Sequence, residues 1–311
     1  MAFDFDAALS PPSCPQPGLR ELAPGARQLT PTVAPQRGLA RHLREKLAVL
    51  GCFADQALLA REGFDASPAL AALAAQAAQA EREHPDVVAL HDGVLHAKAL
   101  GWSIDAEDRP VRGDTAWSEV GDCLAALPAP WRRAALLSLA FAEDFVVIDA
   151  RDGSMPWLAV ALPSMWEPER LVGRSFADVH GPIADDANPA ALAGAELRWE
   201  RFFWTITRHP RLHAHPRRVD PAPWPDDLHG DALAAQAWFR SERQTSIPLP
   251  GSNQAIVTIA VDVQPLAQAL AEPGRAARVH DALAAMSPAL LAHRGLAPVQ
   301  ERLLRWLAAR R

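Results

Sequence analysis

The sequence predicts an α+β domain, with helices first, then about five mostly antiparallel strands, then helices again. Three observations carry that expectation. Phe145–Ile148 and Trp157–Leu162 are apolar runs on either side of Asp152-Gly153, a dipeptide that supplies positive φ at a tight turn, so they read as a β-hairpin. Val257, Ile259, Val261 and Val263 alternate with Thr258, Ala260 and Asp262, the period-two pattern of a strand with one apolar face. On both flanks, apolar residues recur instead every three or four positions, as helices require.

Taken in order, residues 1–38 hold many prolines and read as an irregular arm ahead of a single domain over residues 39–311. Leu39, Leu43, Leu47 and Leu50 stand at helical spacing, and Gly51 is the expected stop. Ser67-Pro68 is an N-cap followed by proline at the first helical position. It opens a helix with Leu70, Leu73, Ala77 and Ala80 that ends near His84-Pro85. Residues 86–115 follow no single period. Pro130–Ala142, with Trp131, Ala135, Leu139 and Ala142 on one side, is a helix feeding the hairpin.

Pro163 ends the second hairpin strand because it has no N–H for a ladder. A short helix, Pro168–Val172, leads to a loop carrying Asp178, Val179, His180, Gly181 and Pro182. Asn188-Pro189 opens a helix through about Glu200, before a strand over Arg201–Thr207. The next strands meet at the turn Pro250-Gly251-Ser252-Asn253, and helices around Pro265–Ala271, Arg275–Met286 and Pro298–Ala309 finish the chain.

Composition narrows the function. The net charge of −6 argues against a general nucleic-acid binder, because phosphate binding needs a basic surface. No apolar run approaches the roughly 20 residues that span a bilayer, and the first residues lack the basic and apolar regions of a signal peptide, so a cytoplasmic location is expected. Cys14, Cys52 and Cys123 form no CxxC pair, which disfavours a zinc ribbon or an iron–sulfur cluster and suggests reduced, mostly buried thiols. GxGxxG, Walker, GxSxG and HExxH motifs are absent, so neither nucleotide cradles nor common hydrolase sites are visible.

Two stretches carry candidate chemistry. His213 and His215 sit in the basic run 208–218, which reads as a solvated loop since no carboxylate or cysteine accompanies them in sequence. The same run offers a docking surface for an acidic redox partner. In Arg240–Thr245, Arg240, Glu242 and Gln244 alternate with Ser241, Arg243 and Thr245. A strand carrying two arginines among apolar neighbours needs partners for them, either an internal acid such as Glu242 or an anionic ligand.

The ordered set PSMW (163–166), VHGPI (179–183), the element from Arg201 to Trp204, and ERQT followed by PLP (242–250) resembles the haem-dependent oxidative N-demethylase alpha-subunit-like family. EDFVVID before the set and HRG (293–295) after it resemble that family's flanking landmarks, so the resemblance covers most of residues 39–307. It departs from the family pattern at Phe203, where asparagine is usual, and at Ala184, where a second proline is usual.

The resemblance implies a PAS-like antiparallel sheet with flanking N- and C-terminal helices that binds haem b and its iron. It implies oxidative removal of a methyl group from a small amine, with oxygen as co-substrate and electrons from separate reductase subunits. It assigns His180 as the axial iron ligand, Arg243 to cofactor binding, and Arg201, Trp204 and Gln244 to the catalytic pocket. The alternatives are a non-catalytic PAS-like module for haem or a small molecule, and a haem-free structural subunit of a larger oxidase.

Overall fold

The computed structural model describes residues 8–9, 19–23, 26, 28–34, 38–39, 41–83, 87–175, 198–219, 223–249 and 251–310. Short extended pieces come first: β1 (Leu19–Glu21), β2 (Val33–Ala34) and β3 (Gly38–Leu39). The arm is therefore not wholly irregular. Helix α1 (Arg41–Cys52) buries Leu43, Val49 and Leu50 and runs through Gly51 rather than stopping there. Glycine in a helix costs only about 1 kcal/mol, less than a buried apolar face contributes.

One turn, α2 (Ala54–Ala57), leads into β4 (Leu58–Ala60), and α3 (Ser67–Glu83) begins at the expected Ser67-Pro68. The stretch without a clear period becomes β5 (Ala89–His91), β6 (Val94–Ala97), β7 (Trp102–Ile104) and β8 (Pro110–Arg112), a four-stranded antiparallel meander. Its first turn is Asp92-Gly93, with φ of +50° and +77°, as a two-residue hairpin turn needs. Gly101 (φ +70°) packs against the chain entering the next helix, where an added Cβ would lie 2.5 Å from the Ala116 backbone.

Helices α4 (Ser118–Ala126) and α5 (Ala129–Ala140) then precede the hairpin of β9 (Asp144–Asp149) and β10 (Trp157–Ala159), followed by α6 (Pro168–Leu171). The chain continues through β11 (Trp199–Thr207), α7 (Gly230–Ala234), β12 (Trp238–Leu249) and β13 (Gln254–Pro265). It closes with α8 (Leu266–Ala269), α9 (Arg275–Ala284), α10 (Pro288–His293) and α11 (Gln300–Ala308). The helix expected to reach about Glu200 does not do so, because Trp199 and Glu200 already pair with Glu21 and Arg20 of β1. Its expected start at Asn188-Pro189 lies outside the described residues.

The architecture is α+β, and the main sheet has seven strands in the order β1-β11-β12-β13-β9-β10-β4. The strands beyond the expected five, β1 and β4, are three residues long and sit at the two edges. Every neighbouring pair is antiparallel, so directly opposed residues share a face. One face carries Phe202, Trp204, Ile206 and Phe239 against Leu266, Val279, Leu291 and Leu303 of the C-terminal helices. Farther along it, Phe145, Val147 and Ile256 pack with α3 and α5, and Trp131 stacks on Trp157 at 5.2 Å. On the opposite face, Val146, Ile148, Leu158 and Val257 lie beneath Met155 and the partly buried Trp166 and Leu171.

Beyond Ile259 the edge of β13 is no longer paired with β9, and α1 closes it. His42 Nε2 donates to the Val261 carbonyl at 2.7 Å and Arg41 to that of Val263 at 2.9 Å. One turn on, the fully buried Lys46 ammonium lies 3.0 Å from Asp144 Oδ1 and donates to the carbonyls of Phe141 and Glu143. Asp144 Oδ2 accepts from Leu162 N–H at 2.6 Å. The N-terminal arm finishes this corner, since Thr32 Oγ1 and N–H bond the last carbonyls of α5 and Glu143 accepts from Thr30 N–H.

Breaking one side of a buried pair strands the other charge at a cost of about 3–5 kcal/mol. Asp144→Asn alone should therefore lower the urea midpoint steeply, while adding Lys46→Met should recover part of the loss. Strictly additive losses in the two variants would show that the charges are uncoupled.

Candidate functional site

The pleat divides the residues singled out by the sequence between two faces of the sheet. Arg201 is the cross-strand partner of Gln244 and Phe203 of Glu242, whereas Phe202 opposes Arg243 and Trp204 opposes Ser241. Arg201 and Gln244 thus share a half-buried face with Phe203 and the buried Glu242. Trp204 and Arg243 look the other way. The four do not converge on one pocket, because the side-chain period of a strand is two.

On the far face both residues have structural partners. Trp204 stacks on Phe239 at 5.6 Å within the cluster that holds the C-terminal helices. Arg243 donates through Nε and a terminal nitrogen to Glu200 Oε2, both at 2.7 Å, and Arg20 binds the other oxygen at 2.6 Å. The internal acid, in the form of Glu200, is thus what holds Arg243. The HRG landmark spans the edge of β11, with the Arg294 guanidinium 5.5 Å from the ring centre of Trp204 on this face and 4.4 Å from that of Phe203 on the other.

The near face is organised from its lower end by Arg240, which is 2% exposed. Its guanidinium donates to Ser164 Oγ at 2.7 Å, Arg211 O at 3.0 Å, Leu212 O at 2.7 Å and Pro163 O at 3.2 Å. Burial lowers its pKa to about 10, against the pull of the Glu242 and Glu45 carboxylates, which favour the cation. The clamp fixes PSMW against the 208–218 run, and Ser164 forms a parallel bridge to Ala214. Met165, at φ +66°, donates its N–H to Ala214 O at 2.9 Å.

That run is not the solvated loop expected. Leu212, Ala214 and His215 are buried, and carboxylates arrive from elsewhere in the chain. His215 Nδ1 accepts from Arg217 N–H, leaving Nε2 to donate to Glu169 at 3.0 Å. His213 donates its backbone N–H to Glu45 and Nδ1–H to Ala161 O, and its Nε2 is buried without a hydrogen-bond partner. Arg217 pairs with Glu167 at 2.8 Å and Arg218 lies 3.9 Å from the Phe53 ring centre. Among the described residues no group of three His, Cys, Asp or Glu could hold a metal ion.

Above Arg240, the near face runs through Glu242, which accepts from Gln244 Nε2 at 3.1 Å, to the opposed pair Trp199 and Ser246. Both members of that pair are buried, and neither the indole Nε1 nor Ser246 Oγ has a hydrogen-bond partner. Sequence reasoning missed them; the only clue was an indole and a hydroxyl at strand positions with no acceptor in view. The described chain leaves the layer over this face at Ser175, bridged to Ser154, and resumes at Arg198, whose carbonyl accepts from Leu22 N–H. His180 lies outside the described residues.

The family model described as haem-dependent oxidative N-demethylase, alpha subunit-like, matches residues 125–304. The chain belongs to this family. No curated protein matches it. The part of this N-demethylase alpha-subunit-like chain that the family model matches includes strands β9–β13, the Arg240 clamp and the HRG element. None of its described helices is long and apolar enough to cross a membrane. Of its cysteines, Cys52 is exposed rather than buried, and burial pushes the Cys123 thiol up to about 11.

Two expectations follow. Arg240→Lys keeps the charge but has no fork to reach four acceptors, so the melting temperature should fall by at least about 5 °C; an unchanged value would remove the clamp from the account. Burial also holds the His42 and His213 imidazoles below the ordinary histidine value. The unfolded chain then takes up protons that the fold refuses, so this stability is whole above about pH 6.5 and is lost as the pH falls through the folded values. His213→Gln should flatten the fall in urea midpoint between about pH 7 and 5, and equal slopes in wild type and variant would exclude His213 as a source.

Proposed function

We propose that this chain is a haem-dependent oxidoreductase that removes a methyl group from a small amine, and that cofactor and amine sit against the near face of β11 and β12. Family membership supports the reaction class. The observation that carries the location is the polarity of that face. Arg201, Gln244 and Glu242 stand half-buried or buried on it, while on the opposite side of the same strands the C-terminal helices cover Phe202, Trp204 and Ile206, and Arg243 is already held by Glu200. Paired donors on a partly closed surface suit an anionic, carboxylate-bearing cofactor such as haem b; the filled face does not.

In this reading the sheet with its flanking helices would act as a PAS-like cradle, and His180, five residues beyond Ser175 in sequence, is the residue that would hold the haem iron, as the resemblance implies. Haem iron, when bound, supplies oxygen activation, and the electrons come from separate subunits, as the designation of the family as an alpha subunit suggests. The chain's own groups bind and orient. Arg201 and Gln244 supply donors for the cofactor or substrate. Glu242, a buried carboxylate opposite an aromatic ring, offers the counter-charge for a protonated amine and a place to hold its proton. Trp204 and Arg243 contribute from behind, by fixing β11 on β12. Of the exposed Arg211, Arg217 and Arg218, the last two already contact Glu167 and Phe53, which makes Arg211 the first choice for partner docking.

Protein from cells fed a haem precursor should show a Soret band that His180→Ala abolishes or shifts. Gln244→Leu should weaken haem or amine binding with little change in melting temperature. Arg243→Leu should do the reverse, because it leaves Glu200 buried with one partner fewer. An unchanged spectrum and full haem content in His180→Ala would remove that ligand. Equal effects of Gln244→Leu and Arg243→Leu on binding would refute the division between faces.

A further inference from the structure

We infer that Trp199 and Ser246 form a donor pair that reads the carboxylate of a group bound on the near face of β11 and β12; the inference rests on that face being the ligand site. The two are direct cross-strand partners, so their side chains lie on the same face as Arg201 and Gln244, one pleat away. Ser246 is 0% exposed and Trp199 5%. The indole Nε1 and the Ser246 Oγ are both buried without a hydrogen-bond partner. Folded interiors leave few polar groups in that state, and here two occur at one register position.

The chemistry of the missing partner follows from the inventory. An indole N–H donates and never accepts, so the partner must bring an acceptor. The next residues along both strands on this face, Arg201 and Gln244, also carry donors. The anion on the face, Glu242, stands four residues down β12 from Ser246, about 13 Å away at strand rise, and already accepts from Gln244. The face is thus donor-rich at the Trp199–Ser246 end and anionic at the Glu242 end. A carboxylate satisfies the first end, since its two oxygens take an N–H and an O–H together. It has two sources, a propionate of haem or the carboxylate of an N-methyl amino acid substrate.

Trp199→Phe, Ser246→Ala and the double variant test the pair. Ser246→Ala removes an unpaired buried donor and little volume, so that ligand-free variant should melt no lower than wild type, whereas Trp199→Phe also gives up ring volume. For a propionate source, haem b should bind the double variant about tenfold more weakly, as loss of charge-assisted bonds implies. If the source is a propionate, haem dimethyl ester should bind wild type and variant alike. If the source is the substrate, haem b should bind both proteins equally, and stabilisation by sarcosine should be lost only in the variant.

A double variant that binds haem b and sarcosine as wild type does overturns the pair while leaving the site reading intact. A wild type that takes up neither overturns both. A fall of more than about 5 °C in ligand-free Ser246→Ala overturns the premise that its hydroxyl lacks a partner.

Discussion

A single guanidinium in the floor of the sheet sets what can be built above it. Arg240 lies near the start of β12 with its charge out of water, and the chain accommodates it by folding two loops so that their carbonyls converge on it. Those loops come from residues 163–164 and 211–212, about fifty positions apart in sequence, and neither has a regular element of its own at the contact. A buried cation with donors left over would be costly, so the loops and the strand specify one another. The positive φ of Met165 and the parallel bridge at Ser164 follow from that convergence.

The same constraint explains why the two halves of the near face differ. Over β9, β10 and the start of β13, the 155–172 segment closes the surface with Met155, Trp166 and Leu171. Over β11 and β12, the described chain leaves polar side chains half-buried. Beneath both, the opposite face packs against two separate clusters, the C-terminal helices under β11 and β12 and α3 and α5 under the hairpin. One side of β11 and β12 is therefore covered by helices, and half-buried polar side chains stand on the other.

Several elements were legible before any coordinates. The hairpin of β9 and β10, the Ser67-Pro68 helix start and the alternation of β13 were readable because local propensity and period agree with the tertiary outcome there. The β5–β8 meander was not read, although Asp92-Gly93 is a strong turn signal, because strands of three or four residues carry too few alternations to set a period. For the same reason β1 and β4 were hidden; each is an edge strand held by its neighbour's ladder rather than by its own sequence. The burial of the 208–218 run was equally invisible, since its carboxylate partners, Glu45, Glu167 and Glu169, come from α1 and α6.

By itself the sequence determined the α+β class, the family and the short list of polar residues on β11 and β12, because these depend on local periodicity and on the order of motifs along the chain. Tertiary structure alone decided which of those residues stand together. Arg201 and Gln244 meet across a ladder while Arg243, one position from Gln244, turns to Glu200 on the other side. A list of residues carries no register, and in a sheet a shift of one position moves a side chain through to the opposite face.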